Sequence, residues 1–106
     1  MKMIVTNTVN IPNKQVVEIL GIARGSTVRA RSIGRDIFAG FKNIVGGEIS
    51  EYTKLQAQSR EEALERMIKD AEQLGADAIV NVRFSTSTIM QGASEVLAYG
   101  TAVKLS

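Results

Sequence analysis

The sequence predicts a single α+β domain over residues 1–106, an antiparallel sheet packed on one long and one short helix. Three observations predict it. The chain has the length of one domain with one core, and its apolar fraction of 44% and charged fraction of 23% are those of a globular protein. Both flanks carry runs dense in β-branched residues, Val16 to Ala23 and Ala78 to Phe84 among them. Between them lies one long stretch whose apolar residues recur at helical spacing.

The first element, Met3 to Thr6, is a short apolar stretch that ends in polar residues and is followed by Pro12. This pattern reads as a short edge strand and a turn. Val16 to Ala23, then Arg24-Gly25-Ser26, then Thr27 to Ser32 reads as strand, glycine turn and strand, a hairpin. From Arg35 the period changes, because Ile37, Phe38, Phe41, Ile44 and Val45 form one stripe of a short helix that Gly46-Gly47 ends.

The longest element runs from about Ser50 to Leu74. Leu64, Met67, Ile68, Ala71 and Leu74 make its apolar stripe, and most of its charged residues lie outside that stripe. Ser59 with Glu62 has capping-box spacing, although Ser59 fits equally well inside one helix begun at Ser50. Gly75 is the expected stop. Ala78 to Phe84 then reads as a strand with Ala78, Val80, Val82 and Phe84 on one face. After a turn at Gln91-Gly92-Ala93-Ser94 comes a last strand, Glu95 to Leu105. Leu97, Tyr99, Val103 and Leu105 share one face of it, and Val96, Ala98, Gly100 and Ala102 the other. The second face is made of small residues, which suits close approach of a helix or of another subunit.

Composition excludes several functions. The chain has no histidine and no cysteine, so disulfides, thiolate metal sites and Ser-His-Asp or Cys-His catalysis cannot be assembled. Thirteen basic and eleven acidic residues leave a net charge of only +2. Arg24, Arg29, Arg31 and Arg35 are the one basic group, and that stretch holds no aromatic partner for base stacking, so no nucleic-acid partner is expected. No run approaches the roughly 18 apolar residues of a membrane span, and the first residues lack a full signal-peptide core. A cytoplasmic protein is the expectation.

Carboxylate chemistry is the remaining catalytic option, but Glu18, Asp36, Glu48, Glu51, Asp77 and Glu95 form no paired motif, so no catalytic residue is assigned. A hard cation held by oxygen ligands is the surviving metal reading, with Asp36, Glu48 and Glu51 as candidates. The methionines, Met1, Met3, Met67 and Met90, fit packing or exposure better than a copper site. Tyr52 opens the long helix as an anchor, and Tyr99 is expected in the core with its hydroxyl at an edge. Either tyrosine could line a small-molecule pocket at a subunit junction.

Gly34-Arg35-Asp36-Ile37-Phe38-Ala39, Asn43-Ile44-Val45-Gly46-Gly47, Tyr52, Ala63-Leu64, Leu74-Gly75-Ala76-Asp77-Ala78-Ile79-Val80 and Gly100-Thr101-Ala102-Val103 together resemble the YbjQ-like family, as do Met3 to Thr8 and Leu20 to Gly25. The resemblance spans nearly the whole chain. It implies a dodecin-subunit-like β-α-β-β topology assembled as a ring, a pentamer, in an uncharacterised family that carries a heavy-metal-binding label. The likeness to dodecins also raises flavin, whose binding there uses an indole; this chain has no tryptophan, so the cofactor is left unknown. The expectation is a non-enzymatic homo-oligomeric scaffold or small-molecule-binding protein, with metal binding through oxygen ligands as the alternative. The candidate interface residues are Arg35, Tyr52, Tyr99, Val96, Ala98, Gly100 and Ala102.

Overall fold

The computed structural model describes the backbone of residues 2–30 and 47–106, and the side chains of 2–28 and 56–106. Its elements are β1 (Ile4–Val5), β2 (Val16–Ala30), α1 (Gly47–Gln73), β3 (Ala78–Met90) and β4 (Ala93–Leu105). The short helix expected over 37–45 lies outside the described residues. The four strands form one sheet in the order β1-β3-β4-β2, and β1 is an edge strand, as its brevity and the following proline suggest.

The sheet is mixed rather than purely antiparallel. β2 and β3 each pair antiparallel with β4, but β1 runs parallel to β3 with Ile4 opposite Ala78. A parallel pair needs a long connection, and here everything between β1 and β3 supplies it.

The expected hairpin at Arg24-Gly25-Ser26 does not form. β2 runs straight through these residues, which pair in register with Tyr99, Ala98 and Leu97 of β4. Gly25 serves a different need: a Cβ placed on it would lie 2.5 Å from the Ala63 carbonyl oxygen, 2.6 Å from Arg66 Cβ, and closer still to the Met67 backbone nitrogen. The backbone of α1 therefore rests directly on β2, where only a hydrogen fits.

The rest of the contact follows the same rule of small residues. α1 is one continuous helix, and Ser59, Ala63, Met67 and Ala71, four residues apart, are its buried line. That line faces Ala23, Gly25 and Thr27 of β2 and the small-residue face of β4. Val96, Ala98, Gly100 and Ala102 are all buried on that face. Leu64 and Ile68 flank the line half-buried, whereas Leu74 lies past the helix end and is exposed, so the buried stripe keeps Met67 and Ala71 of the sequence-based one and adds Ser59 and Ala63. The helix ends in a Schellman motif: the Ala76 amide donates to the Ala71 carbonyl at 3.1 Å and the Gly75 amide to Glu72 at 3.0 Å. Gly75 takes the left-handed φ of 80° that this motif requires.

β3 does not keep one face throughout. Asn81 adopts φ 56°, and the register with β4 slips between Val80 and Arg83. This bulge inserts one residue and exchanges the faces. Ile79 and Val82 lie in the core under α1, while Ala78 and Val80 join Val103 in a second cluster with Ile4, Ile11 and Leu105. The expected common face of Ala78, Val80, Val82 and Phe84 is thus split, because period-two alternation cannot register an extra residue.

The protein is elongated, with extents of 56 × 23 × 20 Å and a radius of gyration of 17.4 Å, against about 13 Å for a compact chain of this length. Much of β3 beyond Val82 and the turn at Gln91 form an exposed arm.

Gly25→Ala is expected to destabilise the fold by about 2–3 kcal/mol in urea unfolding, since the added methyl meets helix backbone that cannot rotate away. Gly75→Ala has open space and costs only the left-handed strain, about 1–2 kcal/mol. Equal effects at the two positions would contradict the close backbone contact.

Candidate functional site

α1 is fixed to β2 by three polar contacts as well as by packing. The buried Thr27 hydroxyl donates to the Ser59 carbonyl at 3.1 Å. Arg66 Nη1 donates to the Ser26 carbonyl at 2.6 Å, and Asp70 Oδ2 accepts from the Arg24 amide at 3.0 Å. The last two satisfy main-chain groups on the outer edge of β2, which has no neighbouring strand among the described residues. Charged helix side chains thus cover the middle of that edge.

With α1 on one face, the opposite face of the sheet is divided into two zones. Toward the chain termini it is covered by the segment holding Ile4 and Ile11, which closes over Ala78, Val80 and Val103. That segment is itself fastened to β3: the Thr6 amide donates to Ile79, the Val82 amide to Thr6 and the Asn81 amide to Thr8. Asp77 secures the end of β4, its carboxylate accepting from the Leu105 amide at 2.9 Å while its own amide donates to Val103. Asp77 is therefore a structural residue.

Among the described residues nothing covers the face beyond this point. Strand register places Arg24, Tyr99 and Arg83 in one row across β2, β4 and β3. The next row is Ser26, Leu97 and Ser85, and the one after it Val28, Glu95 and Ser87. Cross-strand partners share a face, so the two guanidinium groups flank the tyrosine. Tyr99 is 38% exposed, not a core residue as expected, because α1 occupies only the face of its neighbours Ala98 and Gly100. Arg83 Nη1 donates to the carbonyls of Asn7 at 3.1 Å and Val82 at 2.9 Å, which anchors one end of its guanidinium.

The sequence-derived interface candidates separate accordingly. Val96, Ala98, Gly100 and Ala102 are buried within the chain, packed under α1 and, at Gly100, against Ile79 and Val82 of β3, so none of them is on its surface. Tyr99 remains on the open surface. Arg35 and Asp36 lie outside the described residues. Glu48, Glu51 and Tyr52 fall in the first two turns of α1, with their side chains outside the description. Sequence reading missed Arg83 altogether, and no local signal marks it, since only strand pairing brings it beside Tyr99.

These features define a small α+β protein whose described residues form a mixed four-stranded sheet with one helix on one face. The chain belongs to the YbjQ_1 family, described as "Putative heavy-metal-binding", whose model matches residues 3–106. It is 61% identical over 104 residues to a UPF0145 protein of Archaeoglobus fulgidus, covering 98% of this chain and 96% of the relative. A UPF0145 protein of Thermotoga maritima is 55% identical over 103 residues, 97% of each chain. The fold is similar to the crystal structure of a protein with unknown function from Pediococcus pentosaceus, described as a DUF74 family member, with a TM-score of 0.62, 17% identity and 98% of both chains covered.

The family description meets a mismatch in the donor set. Heavy-metal ions favour thiolate and imidazole, and this chain has neither. Among the described residues no group of three or more acidic side chains is placed to hold a metal ion. No helix among the described residues is long and apolar enough to cross a membrane.

Asp70→Ala is expected to speed hydrogen exchange at the Arg24 amide by at least about tenfold, leaving the Asp77 amide unchanged. Unchanged exchange at Arg24 would show that the helix does not protect this edge.

Proposed function

We propose that the chain is a subunit of a non-enzymatic homo-oligomer that serves as a scaffold or small-molecule-binding protein. The observation that carries this reading is the state of the sheet edges. Among the described residues β2 is a 15-residue edge strand whose Val17, Ile19, Ile22 and Val28 are all more than half exposed, Ile19 at 70%. Among the described residues α1 caps its outer edge only at Arg24 and Ser26. On the other side of the sheet, β1 and the segment after it reach only as far as Val82, and β3 continues to Met90.

Long open edges of this kind are templates for pairing with another chain. Two different open edges on opposite sides of one sheet favour a head-to-tail contact, and such contacts form a ring where the rotation closes and a filament where it does not. This agrees with the pentameric ring that the family resemblance implies. Arg35 and Tyr52 are carried forward as interface candidates on the resemblance alone.

A second reading rests on the family description: metal binding through oxygen ligands, with Asp36, Glu48 and Glu51 as the candidate donors. Glu48 and Glu51 stand three residues apart in α1.

Light scattering at tens of micromolar is expected to give a mass near five times the 11.5 kDa protomer. The double variant Ile19→Lys, Ile22→Lys should lower that mass while keeping the far-ultraviolet spectrum. A wild-type monomer would end the assembly reading. Equilibrium dialysis against calcium, manganese, zinc and copper separates the second reading, because stoichiometric retention abolished by Glu48→Gln with Glu51→Gln supports it and no retention removes it.

A further inference from the structure

The Arg24–Tyr99–Arg83 row is the feature that neither the packing nor the proposed assembly absorbs. Adjacent strands lie about 4.8 Å apart, so the two arginine Cα atoms are about 10 Å apart with the tyrosine between them. Two cations at that spacing repel each other, and among the described residues no carboxylate neutralises them. Glu95 stands two rows away, Glu18 is opposite Lys104, and Asp70 accepts from the backbone amide of Arg24. Arg83 is held through Nη1 alone and keeps its other guanidinium donors. On the same face Leu97 and Thr101 flank Tyr99 along β4, Ser26, Ser85 and Ile22 stand at diagonal positions, and Tyr99 stays 38% exposed among them.

A partly exposed tyrosine on an open sheet face offers a stacking surface to a planar ring, and a flanking arginine pair offers charge-assisted hydrogen bonds to a phosphate. The reason for expecting no nucleic-acid partner was that the basic stretch around Arg24 lacked an aromatic residue. Strand pairing supplies one from 75 positions away.

We propose that this row is a nucleotide site, with the base stacked on Tyr99 and the phosphate held by Arg24 and Arg83. It names the ligand class for the binding role proposed above and rests on that half of the reading, not on assembly. The shared chemistry is a base joined to a phosphate, either as a free nucleotide or within a single strand.

The test uses the full chain at low salt, with calorimetric titration of adenosine monophosphate and fluorescence anisotropy of a labelled short oligoadenylate. At least one probe is expected to bind with Kd below about 1 mM. Binding of the mononucleotide alone identifies a free nucleotide as the source, and binding of the oligomer alone identifies a single strand. Tyr99→Ala should weaken binding about tenfold or more, and Tyr99→Phe, which keeps the ring, should stay within about twofold. Arg24→Gln should flatten the salt dependence of the oligomer by about 0.7 in log–log slope. Light scattering of Tyr99→Ala should return the wild-type mass. Failure of both probes to bind overturns the proposal, as does binding indifferent to Tyr99→Ala. A fall in mass that accompanies lost binding also overturns it and assigns Tyr99 to a subunit contact.

Discussion

The structure depends on the contact between the backbone of α1 and the backbone of β2 at Gly25. A helix that approaches a sheet this closely leaves no room for side chains at the crossing, so the crossing selects glycine, alanine, serine and threonine on both partners. Met67 is the one large side chain of the helix buried at this line, and its flexible thioether suits an irregular gap. The polar contacts at Thr27, Ser26 and Arg24 then fix the register along the helix. Because α1 crosses β2, the same contact shields part of the sheet edge.

That arrangement decides what is left for function. One face of β4 is spent on the helix, and among the described residues the opposite face is covered only toward the termini by the segment that follows β1. The open remainder is a strip of paired rows in which the central one carries two arginines and a tyrosine. Among the described residues the sheet edges outside the helix's reach are long; β2 carries exposed Val17, Ile19, Ile22 and Val28, whereas β3 carries Ser85, Thr86, Ser87 and Thr88 between Phe84 and Ile89. The proposed assembly uses the backbone edge of β2 and the proposed ligand site its open face, where Ile22 and Val28 stand in rows on either side of Arg24.

Much of the fold was legible in the sequence, for identifiable reasons. The helical stripe around Met67, the stop at Gly75 and the two faces of the last strand all express local periodicity or capping. Gly25 was misread because a glycine between two β-branched runs satisfies a hairpin pattern, and its partner is a helix some forty residues away. The face exchange in β3 was hidden because a bulge at Asn81 leaves no compositional mark. The candidate site was less legible still: the Arg24–Tyr99–Arg83 row is made wholly by strand pairing between residues 16 to 75 positions apart. The lack of histidine and cysteine, by contrast, is a property of the whole chain, and it bears directly on the heavy-metal description of the family.

The central claim is that α1 takes one face and the middle of one edge, and that the remaining edge is completed by another copy of the chain. Hydrogen exchange of the β2 amides, followed by mass spectrometry across a dilution series, tests it most directly. The account predicts protection of Arg24 at every concentration. Protection at Ile22 and Val28 should be present in the assembled protein and lost on dilution to the protomer. Slow exchange at Arg24 together with fast, concentration-independent exchange at Ile22 and Val28 would contradict it.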